Sequence, residues 1–418
     1  MRTQLRIRAS ALLCLATAAC SDITSLEQDA PSRVLGNTLR DPAAAPLLVN
    51  SVITDYECAL ATYTVAGAMV GDEFLDAQLS QVVWDFDRRT LFPEMQAATA
   101  GCGGVQAPGV YVPLSTARFL ADNTLELLQG WTDEQVANRG SLIATVAAYG
   151  GYSLVLLGEG MCSAALDGGP ELTREDLFNE AIDRFTAAID AATAASNADI
   201  LNMARVGRAR ALLNLGQYAA ARDDAELVPA SFVRNATYDE TPTRRQNNVH
   251  TYQFRGLFGT VDPTFRGLTI GGDPDPRVEV VNSGVNGHDT VTPIWRSTKY
   301  PDVGSPIPIA SGDEALLIVA EAEARVGTPA NAVTIINQLR ANVGLDPFAG
   351  GTQAEILAQV LEERRRELFL EGHRLGDMLR NNLPLVPAPG TPFGKGGTYG
   401  TQLCIPLPAA ERDNNPNI

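Results

Sequence analysis

The feature that most limits how this chain can fold is a series of Ala-rich segments over residues 141–228, in which apolar residues recur at helical spacing. One segment follows Thr173 and Asp176, which are typical of a capping box at a helix start. A second pair of segments is separated at Gly216, where a tight turn is expected. Small Ala positions allow antiparallel helices to approach closely, so the pattern predicts helical hairpins of the tetratricopeptide kind.

The rest of the chain alternates between helical and irregular patterns. Helices are expected over 46–68 and 120–128, as a hairpin over 316–345, and as one long helix over 353–381. Three long stretches, residues 71–115, 230–310 and 383–418, are rich in Gly and Pro and have no helical period. The predicted fold class is therefore all-α. Tetratricopeptide-like hairpins at about 141–229 and 313–345 form a single body over 46–418, with long irregular loop insertions, of which 230–310 is the largest.

The N-terminus has the pattern of an export signal over residues 1–19. Three arginines precede an apolar stretch, Ala9–Ala19, that is too short to span a bilayer. Small residues before Cys20 resemble a bacterial lipoprotein signal, although Thr17 stands where Leu is usual. We expect Cys20 to be lipidated and residues 20–45 to form a lipid-anchored tether; ordinary cleavage after Ala19 is the alternative.

Four cysteines remain once the signal and Cys20 are set aside: Cys58, Cys102, Cys162 and Cys404. An even number in an exported chain indicates two disulfides, and sequence leaves three pairings open. We favour Cys58–Cys102, which closes a local loop, and Cys162–Cys404, which ties the C-terminal region to the helices. A zinc site is disfavoured because the chain lacks CxxC spacing and its three histidines are far apart. No metal or other cofactor is predicted.

The formal net charge of -17 limits the classes of partner. Binding to nucleic acid or to an anionic lipid surface requires clustered Lys and Arg, so neither is expected. The acidic balance suits a neutral or cationic ligand.

The densest group of charges lies between Glu362 and Arg380, where acids and arginines alternate at helical spacing. Nearby arginines should hold these acids ionised, whereas a general acid needs a raised pKa. We therefore predict structural ion pairs here rather than the acid pair of a hydrolase. Arg374 and Asp377, one turn apart, are expected at the centre of a network that includes Arg366 and Glu371.

Two groups of residues are candidates for contacting a ligand. The first comprises Asp72, Glu73, Trp84 and Arg88, because carboxylates bind sugar hydroxyls and a flat aromatic ring stacks on a sugar face. The second comprises Trp295 and Tyr300 in the central insertion. Loops that pack on the scaffold with surface charges are the alternative for both. The acids Asp72, Glu73, Asp85 and Asp87 could also hold a calcium ion, although no EF-hand pattern is present.

Several blocks, taken in order, resemble the SusD/RagB family. Each block is weak alone, but together they extend over roughly residues 140–418. They are Cys20–Asp22, Gly272–Arg277, Lys299 and Tyr300 with Asp313–Ala322, Ile335–Arg340 with Gly344 and Leu345, Glu362–Arg374 with Asp377–Arg380, and Ile405–Pro408 with Asn414–Asn417.

The resemblance implies a lipid-anchored protein on the outside of the outer membrane. Such a protein captures an oligosaccharide, or a peptide, and delivers it to a TonB-dependent, SusC-like barrel without doing chemistry. Two other functions stay open. One is a helical-repeat scaffold that binds a protein partner and no small ligand, and the other is a hydrolase.

Overall fold

The computed structural model describes residues 38–95, 99–103 and 106–418. The predicted signal peptide, Cys20 and the tether up to residue 37 lie outside the described residues. Two short 3-10 turns, Thr38–Arg40 and Pro42–Ala44, come before a compact unit that extends from Ala45 to Ile418.

Helices dominate this unit, which confirms the predicted fold class. Short helical turns also occur at 243–255, 263–265 and 276–278. The α-helices of six or more residues in the described ranges are α1 Ala45–Val70, α2 Gln81–Arg88, α3 Tyr111–Gly130, α4 Arg139–Gly160, α5 Arg174–Ala194, α6 Ala198–Asn214, α7 Tyr218–Ala225, α8 Gly312–Arg325, α9 Pro329–Asn342, α10 Gln353–Glu367, α11 Arg374–Asn381 and α12 Ala409–Asn414.

Helix α4 lies at the centre and packs against α3 and α5. It is the one helix in the described ranges that is long and apolar enough to span a membrane, and 78% of its apolar window is buried inside the protein. An apolar surface on all sides is typical of a core helix. The ring of Phe185 on α5 lies so close to Gly151 that a Cβ there would be 2.8 Å from it. Glycine thus sets the close spacing of the two helices.

The capping box predicted at the start of α5 is confirmed. The Thr173 hydroxyl accepts from the backbone N–H of Asp176 at 3.2 Å, and the Asp176 carboxylate accepts from the Thr173 N–H at 2.9 Å. The predicted hairpin after it is also present as α6 and α7. Its turn places Gly216 at φ +71°, a backbone conformation that glycine adopts without strain.

The described strands form five two-stranded antiparallel sheets, all short. Three sheets lie wholly or mainly in the central insertion, and the first joins that insertion to residues after α1, since Phe74 pairs with Val261. The pairs are β1 Phe74–Asp76 with β5 Gly259–Val261, β2 Ser163–Ala165 with β3 Glu171–Thr173, β4 Val233–Ala236 with β10 Ile307–Ser311, β6 Thr269–Ile270 with β7 Asp273–Pro274, and β8 Val280–Asn286 with β9 Pro293–Ser297.

Two disulfides join the pairs that the sequence analysis favours. Cys58 on α1 is bonded to Cys102, with 5.8 Å between Cα atoms. Cys162, just after α4, is bonded to Cys404, with 4.9 Å between Cα atoms. A parallel bridge between Met161 and Ile405 lies beside the second disulfide. The C-terminal segment is therefore attached to the end of the central helix.

The prediction of a single long helix over 353–381 is wrong. Helix α10 ends at Glu367, and α11 begins at Arg374. In the turn between them, Leu370 has φ +58° and Gly372 has φ +84°. Leu368, Phe369 and Leu370 are all buried in this turn, and the backbone N–H and carbonyl of Leu370 bind the side chains of Glu73 and Tyr300 instead of continuing a helix. Burial of this apolar turn thus overrides the helical pattern.

The break also changes the ion pairs. Arg374 and Asp377 do not pair with each other. Instead Arg374 Nε lies 2.9 Å from Asp72 Oδ1, while Asp377 binds Arg364 and Arg380 at 2.9 and 2.7 Å. The other two predicted members also have distant partners, with Glu371 on Lys299 at 2.7 Å and Arg366 on Asp275 at 3.2 Å as well as on Glu362 at 2.7 Å. The four residues do form ion pairs, but these pairs connect α10 and α11 to the segment after α1 and to the central insertion.

Candidate ligand-binding site

A cavity of about 480 Å³ lies between helix α2 and a C-terminal loop. The helix presents Gln81, Trp84, Asp85 and Arg88, whose spacing puts them on one side. The segment after it adds Phe92 and Met95, and the loop adds Lys395 and Gly396. The cavity is therefore built from parts of the chain about 300 residues apart, as the Arg88 contact to Gly396 shows directly.

Aromatic rings form one wall of this cavity. The indole Nε1 of Trp84 donates to the carbonyl of Gln78 at 3.2 Å, which fixes the ring. Its ring centroid lies 6.2 Å from that of Phe393 on the C-terminal loop. Phe92, on the same wall, is 43% exposed. Trp84 and Phe92 thus give the cavity an apolar wall, and the buried ring of Phe393 packs against Trp84.

Arg88 connects the helix to the loop. Its Nη2 lies 2.6 Å from Asp85 Oδ1, and its Nη1 donates to the carbonyl of Gly396 at 3.2 Å. The guanidinium also lies 5.8 Å from the centroid of Phe393. Arg88 is therefore charge-paired and held in place before any ligand arrives.

Lys395 is the second cation on the cavity wall, and it also has acidic partners. Its Nζ lies 2.5 Å from Asp76 Oδ2, 2.8 Å from the Asp76 carbonyl and 3.1 Å from Asp289 Oδ2. Both carboxylates are almost completely buried. The lysine thus anchors the loop onto strand β1 and onto the β8–β9 hairpin connection.

Behind the lysine lies a further buried carboxyl group, Asp87. It accepts from the backbone N–H of Asp76 at 2.7 Å and from the hydroxyl of Tyr399 at 3.1 Å. Burial raises the pKa of Asp87 to about 7 and that of Asp76 to about 6. Asp76 Oδ1 has no hydrogen-bond partner among the described residues. Two buried carboxyl groups therefore lie behind the lysine that lines the cavity.

A second cavity, of about 340 Å³, lies between α10 and the segment after α11. Apolar side chains such as Leu361, Leu383 and Val386 make up much of its lining. Asp72 and Arg374 also lie at its wall, but they form a two-point ion pair, at 2.9 and 3.0 Å, that occupies their polar atoms.

The structure separates the predicted ligand-contacting residues into two groups. Trp84 and Arg88 line the larger cavity, which leaves their proposed role in place. Asp72 does not line this larger cavity. It is only 2% exposed and is bound to Arg374, so its role is structural.

The predictions for Glu73 and Tyr300 are wrong. Both side chains are buried, and both serve the turn between α10 and α11. The Glu73 carboxylate accepts from the backbone N–H of Leu370 at 2.8 Å, and burial raises its pKa to about 7. The Tyr300 hydroxyl donates to the carbonyl of the same Leu370 at 3.1 Å. Their polar atoms satisfy buried backbone groups and do not face solvent.

Trp295, the other member of the second predicted group, lies half-buried on strand β9. The guanidinium of Arg266 covers its ring at 5.0 Å from the centroid. It does not line the cavity that contains Trp84.

The four acids that could have held a calcium ion have other partners. Asp72 binds Arg374, Asp85 binds Arg88, and Asp87 accepts from backbone and from Tyr399. Within residues 38–95, 99–103 and 106–418, no group of three or more His, Cys, Asp or Glu side chains is placed to hold a metal ion.

The expectation that every acid in the 362–380 block stays ionised is wrong for Glu367. Burial raises its pKa to about 7 even though Arg277 lies 3.1 Å away. Burial also raises the pKa of Glu371, against the opposing effect of Lys299. Both acids border a cavity of about 250 Å³, and each is bound there to a cation.

Sequence reasoning missed the parts of the site that come from the C-terminal loop. Lys395, Gly396 and Phe393 have no local feature that links them to residues 76–92. The one available signal is a lone lysine within a Gly-rich turn that directly follows an aromatic residue. Phe92 was also missed, because a single exposed aromatic residue is common on protein surfaces.

Comparisons with known proteins bear on the fold and on one part of the sequence. The sequence model of the SusD family matches residues 314–402. Among solved structures, a SusD superfamily protein from Bacteroides vulgatus aligns with a TM-score of 0.68 at 15% identity, covering 90% of this chain and 98% of that one.

Two further solved structures are similar over almost their whole length. A SusD-like protein from Bacteroides fragilis aligns with a TM-score of 0.69 at 11% identity, covering 92% of this chain and 97% of that one. A structure described as a laminarin-binding SusD-like protein gives 0.64 at 15% identity, covering 88% and 99%. No curated protein sequence matches the chain. The resemblance is thereby confirmed: the chain has the fold of the SusD superfamily and carries the sequence signature of the SusD family over residues 314–402.

Proposed function

We propose that this chain is a surface-exposed binding lipoprotein that captures an oligosaccharide in the cavity between α2 and the C-terminal loop. A peptide is the alternative ligand. The observation that carries the proposal is the position of Trp84, whose fixed ring faces an open cavity of about 480 Å³ beside Gln81, Asp85 and Arg88.

This arrangement suits a sugar for two physical reasons. A flat, immobile aromatic ring offers an apolar surface to the C–H face of a sugar ring at little entropic cost. The amide, carboxylate and guanidinium groups around it can exchange hydrogen bonds with hydroxyl groups. The volume lies within the range of about 300–1,000 Å³ that small-ligand sites occupy.

The similar structures support a carbohydrate ligand. One is described as a SusD-like carbohydrate-binding protein from Bacteroides vulgatus and another as laminarin-binding. At 15% identity these likenesses establish the fold, and the ligand of this chain is our inference from its own cavity.

We further propose that the protein binds without catalysing a reaction. The carboxylate that lines the cavity, Asp85, is already bound to Arg88 at 2.6 Å and accepts from the Thr90 hydroxyl, so it is engaged in structural contacts. Asp87 has the raised pKa that an acid catalyst requires, but its side chain lies behind the wall and is bonded to Tyr399.

Delivery to a TonB-dependent, SusC-like barrel completes the proposal. In it, residues 1–19 are removed, Cys20 carries the lipid, and residues 20–45 tether the body to the outer membrane, facing the cell exterior. A pull-down of the full-length tagged protein from native outer membranes, followed by mass spectrometry, tests this part. Recovery of a large barrel supports delivery, while its absence with the lipid anchor intact removes that support.

The ligand is tested separately by calorimetry against soluble neutral glucan hexaoses of β-1,3, β-1,4 and α-1,4 linkage, with short peptides alongside. Trp84→Ala should weaken binding of any hexaose that binds by about tenfold, since an aromatic contact of this kind contributes about 1.4 kcal/mol. Trp295→Ala is the matched control, because that ring lies outside the cavity. If Trp295→Ala abolishes binding and Trp84→Ala does not, the ligand binds at the central insertion instead.

A further inference from the structure

We infer that this cavity selects uncharged oligosaccharides and excludes anionic ones such as uronic-acid or sulfated chains. The inference rests on the proposed function, because it concerns the ligand class of the same cavity. It follows from how the charges around the cavity are paired.

Both cations on the cavity wall already have acidic partners. Arg88 is bound to Asp85 at 2.6 Å, and Lys395 is bound to Asp76 at 2.5 Å and to Asp289 at 3.1 Å. An anionic group on a ligand would have to compete with these carboxylates. The partners of Lys395 cannot move away easily, since their side chains are buried and held by backbone contacts. Neither cation is therefore free to bind a ligand carboxylate or sulfate.

Carboxylates also outnumber cations at this site. Arg88 and Lys395 are bound to three carboxylates, those of Asp85, Asp76 and Asp289. A fourth carboxyl group, that of Asp87, accepts from the backbone of Asp76. The side chains of Asp76 and Asp289 are buried and do not line the cavity, but their charge lies beside it. This excess of negative charge disfavours an anionic group on a ligand and favours a group that can donate a hydrogen bond to Asp85 on the wall. Sugar hydroxyls are donors, whereas a carboxylate or sulfate offers only acceptors.

The charge of the whole molecule acts in the same direction. The chain has a formal net charge of -17, which repels a polyanion before it reaches the cavity. Long-range repulsion of this kind is screened by salt over about 8–10 Å, so it predicts a dependence on ionic strength.

The test compares each neutral hexaose with the same hexaose oxidised at C6 to the uronate. The pair shares linkage and length and differs in charge. The neutral hexaose should bind at least about tenfold more tightly than the oxidised one at low salt. The ratio of the two dissociation constants should fall towards one at high salt, because salt screens the repulsion. An oxidised member that binds equally or more tightly overturns the inference and leaves the proposed function standing. If no member of either set binds, the proposed function fails, and the inference fails with it.

A reciprocal variant tests the cause. Asp85→Asn frees Arg88 from its partner, so affinity for the oxidised hexaose should rise by about tenfold. Gln81→Lys adds an exposed cation to the same wall and should act in the same direction without disturbing a buried pair. Asp183→Asn makes the same chemical change as Asp85→Asn, but at an exposed position on α5. It should leave the affinities for the neutral and the oxidised hexaose unchanged. If both cavity variants leave the preference for the neutral hexaose as it was, paired charge is not its origin.

Discussion

Asp377→Asn provides a sharp test of the ion-pair network. The carboxylate accepts from Arg364 at two points, each at 2.9 Å, and from Arg380 at 2.7 Å. Burial alone would raise its pKa, but the two guanidinium groups together hold the pKa of Asp377 well below its ordinary value. Asparagine keeps the shape and removes the charge.

The structure indicates a large cost. Without Asp377, the nearest carboxylate for both arginines is Glu321, which already binds Arg325 at 2.9 Å. Arg364 and Arg380 have side chains that are only 3% and 4% exposed, so water cannot replace the lost charge. Breaking a buried pair by removing one partner costs about 3–5 kcal/mol. We expect the free energy of unfolding to fall by that amount at neutral pH.

Urea unfolding monitored by circular dichroism measures the loss, with Asp183→Asn as the control. The exposed control should stay within about 0.5 kcal/mol of the wild type. Because the pKa of Asp377 is lowered in the folded state, its contribution is present above the unfolded pKa and is lost as pH falls. The difference between variant and wild type should therefore be constant from about pH 5 to 8 and shrink below about pH 4. A loss under about 1 kcal/mol would refute the reasoning, because it would mean that solvent reaches the arginines.

Two further predictions concern stability. Burial raises the pKa of Glu314 to about 8, so the folded state favours its protonated form, and the wild type should lose stability as pH rises from about 5 to 8. Glu314→Gln should remove this residue's share of the loss, on the order of 1.4 kcal/mol per pH unit, and a difference in unfolding free energy between variant and wild type that does not change with pH would contradict it. Replacing Cys162 and Cys404 by Ala should cost about 1.5 kcal/mol more than replacing Cys58 and Cys102, because the bonds span 242 and 44 residues. Equal losses in thermal or urea unfolding would show that loop entropy is not what separates them.

The elements that sequence predicts well are those whose determinants are local. The capping residues Thr173 and Asp176 lie three positions apart, and the turn at Gly216 needs only its own backbone freedom. The helical period over 141–228 reflects burial against the immediately adjacent helix. Each of these signals can be read within a window of about twenty residues.

The failures arise where a distant partner decides the structure. The turn at 368–373 forms because Glu73 and Tyr300, far away in the chain, satisfy the backbone of Leu370. Arg374 is bound to Asp72, 302 residues earlier, rather than to the acid one turn away. Helix α2 escaped detection inside a region expected to be irregular, since its eight residues are too few to show a clear period.

The candidate site shows the same division. Trp84 and Arg88 were selected by residue type, and both line the larger cavity. Their position on one side of a helix was not predicted, because α2 itself was not. Glu73 and Tyr300 were also selected as a charged and an aromatic side chain. In the structure their polar atoms bind the buried backbone of Leu370 instead of facing a cavity. Residue type alone cannot distinguish a group that faces a ligand from one that faces the core.

The chain order of the cavity has a consequence for biogenesis. A polypeptide emerges from the ribosome starting from its N-terminus, so α2 is made long before Lys395 and before Gly396, which lies 308 positions after Arg88. Any product interrupted before residue 395 lacks one wall of the cavity, however well its helices have folded. The bond from Cys162 to Cys404 forms at the same late stage and fastens that wall to α4. The cavity is therefore complete only after residues 395 and 396 have been made and have packed against α2.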